Sequence, residues 1–272
     1  MHSVNAEIKA EYDTIWQQFW EANNHEDLIN ARVTDRKLFY DTVLKYSRLF
    51  EKPMVMEVGS GTGIDINLMQ QRNKNIQSYA SDISIKSIDV GRKITEALGG
   101  RINFLVTDTL DLAFKDRQFD IIYSQGLIEH FSNPLEVIKE QLRVLRDGGY
   151  LIINVPQKFT GYTIMKKLKM LAGKWHLGWE IEFSYPDLKK LGSLLDLTKR
   201  EAFGYQYWRS WQEPAFVLRD CYDKIHRRNP LRSLWLFRNL KVLYDAMWTR
   251  LEGAWGHYFL KNIVIVFQKA PG

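Results

Sequence analysis

Six residues in the first half of the chain have the types and spacing to do chemistry together. Glu57, Asp82 and Asp108 each stand at the end of a short apolar run, and Gly59, Gly61 and Gly63 alternate in EVGSGTG just after the first run begins to turn. Missing side chains let a ligand approach the backbone, and a turn that follows a strand and opens a helix is the setting a nucleotide requires. The spacing is not a dinucleotide fingerprint: the third glycine falls one residue early, and Ile64 stands where that fingerprint wants glycine. No Gly-Lys-Ser/Thr follows, which excludes a Walker loop. Three carboxylates on one rim would repel a pyrophosphate. They suit a cation that also offers a ribose diol and an exocyclic amine, the chemistry of S-adenosylmethionine.

The elements that must position these residues alternate along the chain. Met54 to Val58, Ile76 to Asp82, Ile102 to Asp108, Phe119 to Ser124 and Tyr150 to Val155 read as strands, bounded by turn residues. Before the last of them, Ser132 and Asn133 can cap a helix with Pro134 in its first turn. The stripe Leu135, Ile138, Leu142 and Leu145 then runs up to Gly148 and Gly149. Such βαβ alternation predicts an α/β fold whose mainly parallel sheet is covered on both faces and binds ligands at the strands' carboxyl ends. Two helices, near Val4 to Glu21 and Asp27 to Phe50, form an N-terminal cap docked by Tyr12, Trp16, Phe19 and Trp20. After Val155 the pattern breaks into a basic, aromatic stretch over 157–178, a helix from Tyr185 to Leu197 and a mostly helical stretch from Trp208 to Arg250. The strand Asn262 to Gln268 closes the chain. The expected organisation is one domain over 1–272: a helical cap over 1–50, a ligand-binding core over 51–156, insertions or a lid over 157–260 and the closing strand over 261–272.

The pieces EVGSGTG (Glu57 to Gly63), YASD (Tyr79 to Asp82), VTD (Val106 to Asp108), FDIIYSQGLIEHF (Phe119 to Phe131) and LRVLRDGGYLIINVP (Leu142 to Pro156) together resemble the class I S-adenosylmethionine-dependent methyltransferases. The resemblance covers roughly Met54 to Pro156 and, more loosely, the last strand. It implies a Rossmann-like, mainly parallel seven-stranded sheet and S-adenosyl-L-methionine as cofactor; the residues themselves offer no metal-ligand set, so no metal is expected. It also implies that Glu57, Gly59, Ser60, Gly61, Thr62 and Gly63 meet the methionine and ribose portion. Asp82 would take the ribose hydroxyls with Ile83 beside the adenine, Asp108, Thr109 and Leu110 would meet the adenine edge, and Ser124, Gln125 and Gly126 would lie near the sulfonium.

A sulfonium activates its own methyl, so such an enzyme mainly positions an acceptor, excludes water and removes a proton where the acceptor carries one. His130 is the leading candidate base, because imidazole titrates in the right range, and Glu129 is the second. Ser124-Gln125-Gly126-Leu127 replaces the Asn/Asp-Pro-Pro-aromatic loop of enzymes that methylate base amines, and Cys221 lacks the preceding proline of a cytosine carbon-5 nucleophile. Tyr162, Trp175, His176, Trp179, Tyr205, Trp208 and Trp211 are the candidate acceptor-pocket residues. A single cysteine excludes an intrachain disulfide, a cysteine-based zinc site and three-cysteine cluster ligation.

Charge divides the chain. Residues 1–157 hold 18 Lys+Arg against 22 Asp+Glu, net −4, whereas 158–272 hold 20 against 10, net +10. Leu231 to Trp248 carries Leu231, Leu234, Trp235, Leu240, Leu243, Met247 and Trp248 broadly on one side, with Arg232, Arg238, Lys241 and Arg250 among the rest. Packing on its own domain is favoured over peripheral contact with an anionic membrane. With no signal-peptide pattern, the expected location is cytoplasmic. The expected acceptor is a small molecule: a sugar or glycan precursor, a lipid-linked compound or a specialised metabolite. RNA is the runner-up and nucleic acid is disfavoured. A non-catalytic cofactor-binding regulator is the rival from another class, and a nicotinamide dehydrogenase ranks last.

Overall fold

A computed structural model describes residues 36–175, 180–205, 221–222, 224–229, 231 and 234–272. Its order is α1 (Lys37–Ser47), β1 (Met54–Val58), α2 (Ile64–Arg72), β2 (Gln77–Asp82), α3 (Ile85–Ala97), β3 (Ile102–Val106), β4 (Phe119–Gln125) and a 3₁₀ turn (Ile128–His130). There follow α4 (Pro134–Val144), β5 (Leu145–Pro156), α5 (Gly161–Leu171), α6 (Tyr185–Leu194), β6 (Thr198–Tyr205), α7 (Trp235–Phe259) and β7 (Asn262–Gln268). The strands form one seven-stranded sheet in the order β3-β2-β1-β4-β5-β7-β6. Strands β1 to β5 run parallel, and β7 is antiparallel to both β5 and β6. This is the Rossmann-like, mainly parallel seven-stranded sheet that the resemblance implied, with its antiparallel pairings confined to one end.

Strand periodicity explains the two buried layers. Residues one apart point to opposite faces, so a strand covered on both sides reads as a continuous apolar run. In β7, Ile263, Ile265 and Phe267 join Met56, Ile122 and Ile153 against α4 and α6 on one face. Val264 and Val266 join Val55, Tyr123 and Ile152 against Phe39, Tyr40 and Val43 of α1 and Ile66 and Met69 of α2 on the other.

Three expectations need correction. Helix α4 stops at Val144, before Gly148 and Gly149, because Leu145 already pairs with Phe119 as the first residue of β5. The two glycines instead shape the irregular start of β5, where Gly148 is left-handed (φ 74°) and a Cβ on Gly149 would lie 2.9 Å from two backbone carbonyl oxygens, those of Arg146 and Asp120. Strand β3 ends at Val106, so Asp108 lies beyond it in a turn. Strand β6 was not anticipated: TKREAFGY carries three charges and becomes a strand through its pairing with β7. The expected helix over Val4 to Glu21 lies outside the described residues. Among those residues no helix is long and apolar enough to cross a membrane.

Candidate functional site

The site begins where β1 turns into α2. Gly59, Gly61 and Gly63 all adopt left-handed backbone (φ 67°, 54° and 61°). A β-carbon on Gly59 would stand 2.7 Å from Leu127 Cδ1, and one on Gly63 2.9 Å from Phe104 Cε1. The alternate glycines therefore answer to backbone handedness and to packing beneath the loop, more than to ligand access from above. Asp82, the last residue of β2, closes the loop: its Oδ2 accepts from Gly61 N at 2.8 Å and its Oδ1 from Ser84 N at 2.9 Å. Ser60 Oγ, Thr62 Oγ1 and Thr109 Oγ1 are buried polar atoms with no hydrogen-bond partner among the described residues. Buried hydroxyls without partners are costly, and a ligand edge would satisfy them. Ile83 and Leu110 are exposed at 36% and 42%, apolar flanks fit for a planar base. In the turn after β3, Asp108 Oδ1 accepts from Leu110 N at 3.0 Å.

Glu57 is not an open rim acid. It is 2% exposed, and its carboxylate accepts from Ile66 N (3.2 Å), Tyr123 Oη (3.1 Å) and Gln125 Nε2 (3.3 Å). Desolvation, then the Glu57 charge beside it, pushes the Tyr123 phenol well above its ordinary range. Gln125 Oε1 accepts from Arg36 Nη1 (3.1 Å) and Asn154 Nδ2 (3.2 Å), and Arg36 Nη1 also donates to Asp65 at 2.6 Å. Burial works against the Arg36 charge, but Asp65, Tyr205, Tyr40 and Glu57 more than offset it and raise its pKa. Sequence reasoning missed Arg36 and Asp65. Asp65 followed the glycines directly, and the pairing of Arg36 across 29 residues left no local signal.

The other side of the rim starts at the end of β4. Ser124 is buried, Gly126 is left-handed (φ 63°) and donates its N–H to Asn154 O at 2.9 Å, and the chain enters the 3₁₀ turn. Glu129 in that turn is 2% exposed, and its Oε2 has no hydrogen-bond partner among the described residues. Its Oε1 faces the loop, 3.6 Å from where a methyl group on Gly126 would stand. Burial, assisted by Glu180 and opposed by the Glu129 backbone N–H and Lys166, pushes this carboxyl up to about 8. His130 ends the turn half-buried, its N–H on Leu127 O at 3.1 Å.

A second strip of chain, 180–182, is stitched to this turn by Ile181 N on Glu129 O at 2.7 Å. From α5, Lys166 Nζ reaches Glu180 (3.0 Å) and Glu182 (3.5 Å), with all three side chains largely out of water. Tyr162 lies beside them, its phenol pushed up by burial and then by Glu180 and Glu129, and its ring meets Trp175 edge-on at 6.2 Å. Tyr205 sits within β6, 5% exposed, where its hydroxyl receives Asn154 Nδ2 at 2.6 Å. His176, Trp179, Trp208 and Trp211 lie outside the described residues. The structure thus brings Glu129, Tyr162 and Gly126 to one place, together with Lys166, Glu180 and Glu182, which the sequence did not single out.

Residues 56–153 match the family described as a methyltransferase domain, and that match and the fold support a class I S-adenosylmethionine-dependent methyltransferase. The chain is 25% identical over 142 residues to a malonyl-[acyl-carrier protein] O-methyltransferase from Marinomonas, covering 52% of each chain. It is 33% identical over 110 residues to a protein named as a probable tRNA methyltransferase 9B from Mus musculus, covering 39% of this chain and 22% of that one. It thus spans about half the length or less of these curated relatives. A solved S-adenosylmethionine-dependent methyltransferase from Thermotoga maritima shares the fold with a TM-score of 0.58 at 16% identity, over 94% of this chain and 99% of that one.

Proposed function

We propose that the protein transfers a methyl group from S-adenosylmethionine to a small-molecule acceptor, with a sugar or glycan precursor, a lipid-linked compound or a specialised metabolite as the acceptor class. The observation that carries this reading is the glycine loop closed by Asp82, with the orphaned hydroxyls of Ser60 and Thr62 in it and of Thr109 in the turn after β3, inside the stretch that matches the methyltransferase family. When bound, the cofactor supplies a methyl already activated by its sulfonium, and the electron pair of the breaking carbon–sulfur bond stays on sulfur. The chain's own work is binding, orientation and proton transfer. Asp82 would meet the ribose hydroxyls, Ile83 and Leu110 the faces of the adenine, and Asp108 and Thr109 its amine. Among the described residues Arg36 uses only Nη1 for hydrogen bonds, which would leave further N–H groups for a carboxylate.

For proton removal the geometry favours Glu129 over His130. Its carboxyl is buried beside Gly126, and a pKa of about 8 places a base near physiological pH. The acceptor's lone pair would form the new bond to carbon while Glu129 takes its proton. Relatives named for a protein-bound malonyl group and for tRNA support the chemistry without choosing the acceptor. The tRNA-named relative and the basic second half support RNA as a second reading, for which binding to added RNA should fall steeply with salt.

The test is incubation of the full chain with labelled S-adenosylmethionine and a host metabolite extract, followed by identification of the labelled product. Label in a small molecule supports the reading, and label in RNA favours the second. Association with S-adenosylhomocysteine but no turnover with any acceptor overturns both in favour of a regulator. With an acceptor in hand, Glu129→Gln is expected to lower kcat by about 100-fold or more, and the kcat/KM of the parent to rise with pH through a midpoint near 8 and level off above it. A near-normal rate for Glu129→Gln with a large loss for His130→Ala would transfer the role to the histidine.

A further inference from the structure

The outer faces of α5 and α7 carry apolar side chains that nothing described in the protein covers. On α5, Ile164, Leu168 and Leu171 recur at i, i+4 and i+7 and are exposed at 62%, 56% and 86%, while Thr163 and Lys166 are buried on the inner side. On α7, Leu240, Leu243, Met247, Leu251, Trp255 and Tyr258 recur every three or four residues and are all exposed, between 41% and 65%. That spacing keeps one helix face along about 27 Å. The opposite face of α7 is the packed one: Gly256 approaches Gly204 so closely that a Cβ on Gly204 would lie 2.1 Å from the Gly256 carbonyl oxygen. The packing expected for Leu234, Trp235, Leu240, Leu243 and Met247 is therefore not what the structure contains. The close contact with β6 uses the glycine face and turns these side chains outward.

The two helices adjoin at one end. Gln157, just before α5, donates to His257 O (3.3 Å) and Tyr258 O (2.7 Å), which fixes the start of α5 at the end of α7. Phe159, exposed at 70%, stands at that junction with Trp255 and Tyr258, whose rings are 6.0 Å apart. Residues 158–175 contain five lysines and no acid, and Lys169, Lys174, Arg238 and Arg250 are exposed on or beside the two helices. Patches of this extent on a monomer mark an interaction surface. Aromatic ends with lysine stems alongside suit a boundary that is apolar on one side and wet on the other.

We propose that the joined outer faces of α5 and α7 seat the protein on an anionic lipid bilayer, with Phe159, Ile164, Leu168, Leu171, Trp255 and Tyr258 entering the interface and the flanking lysines and arginines meeting lipid phosphates. Charge selects this occupant over a second copy of the chain, which would set cations against cations. The inner side of α5 carries Tyr162 and Lys166, so the bilayer would lie across one helix from Glu129. The proposal does not depend on methyl transfer.

The experiment is co-sedimentation of the full chain with vesicles of phosphatidylcholine alone or mixed with phosphatidylglycerol, at low and high salt. The expected result is binding to the mixed vesicles that weakens with salt. The triple substitution Ile164→Ser, Leu168→Ser, Leu171→Ser is expected to reduce partitioning by at least about tenfold. That variant should bind S-adenosylhomocysteine as the parent does, which shows it folded and separates failure here from failure of the cofactor reading. The proposal is overturned if the parent stays in solution with the mixed vesicles, or sediments equally with neutral ones regardless of salt. It is also overturned if the triple variant sediments like the parent, or if the stripe proves buried in a dimer that the triple variant disrupts.

Discussion

On the glycine-loop side of the rim, Asp82 answers backbone N–H groups at residues 61 and 84, and Glu57 answers the backbone of α2 and two neighbours from β4. On the α5 side, Lys166, Glu180 and Glu182 meet side chain to side chain, with Glu129 beside them. Both sides hold polar groups away from water. The first does it by backbone geometry that the local sequence dictates, and the second by partners brought together only when the fold is complete. The first should therefore tolerate loss of a single charge better than loss of a backbone conformation, and the second the reverse.

The largest expected effect lies in the second region. Lys166→Met keeps the bulk of the stem but strands Glu180 beside the buried Glu129 carboxyl, while Glu182 keeps Lys167 at 3.0 Å, and breaking a buried pair from one end typically costs about 3–5 kcal/mol. Urea unfolding at neutral pH would measure it, and a loss below about 1 kcal/mol would show that water reaches the cluster and that the contrast is false. On the glycine-loop side, Gly63→Ala places a methyl group 2.9 Å from Phe104 on left-handed backbone. Strain and overpacking together should cost about 2–4 kcal/mol and weaken S-adenosylhomocysteine binding, read by unfolding and by calorimetry.

Glu129 sharpens the contrast through pH. Its folded pKa of about 8 lies above the ordinary 4.5, so between those values the native state keeps a proton that the unfolded chain has lost. Stability should then fall as pH rises through that window, by an amount on the order of 3–4 kcal/mol, with Glu180, Lys166 and Tyr162 as the ionisable groups that face it. Glu129→Gln removes the proton exchange, so its stability should be flatter from pH 5 to 8 and should exceed that of the parent at the alkaline end. Equal slopes for the two proteins would mean that Glu129 ionises freely in the fold.

The same division explains what could be read in advance. The strand–glycine loop–helix unit, Asp82 at the tip of β2 and the helix opened by Pro134 are encoded within a dozen residues each, by turn residues and alternating apolar side chains. They came out of the sequence with small errors of boundary. Strand β6 did not, because Thr198, Lys199, Arg200 and Glu201 carry no strand pattern and are strand only by pairing with β7. Lys166, Glu180 and Arg36 left no trace either, since each finds its partner 14 or 29 residues away. His130 outranked Glu129 on unperturbed chemistry alone, and the burial on which the proposal for Glu129 rests is something a sequence does not display.

Helix α6 separates locality from position, because it lies on the α5 side yet is locally encoded. Ser184 caps it: its Oγ accepts from Asp187 N (3.4 Å), and Asp187 Oδ2 accepts from Ser184 N (2.8 Å), with Pro186 in the first turn. Desolvation raises the Asp187 pKa, but the Ser184 side-chain and backbone bonds, with Lys158 and Lys190, outweigh it and leave the pKa lowered. A lowered carboxyl pKa contributes stability above the ordinary value that is lost as pH falls through the folded one. Ser184→Ala should thus cost only about 1 kcal/mol at neutral pH, the smallest of these effects, and part of that loss should vanish in acid. If it instead costs as much as Lys166→Met, the division is one of place, with the whole α5 side resting on long-range order. A cost near 1 kcal/mol would make it one of encoding, with caps and turns robust wherever they sit and cross-chain charge clusters fragile.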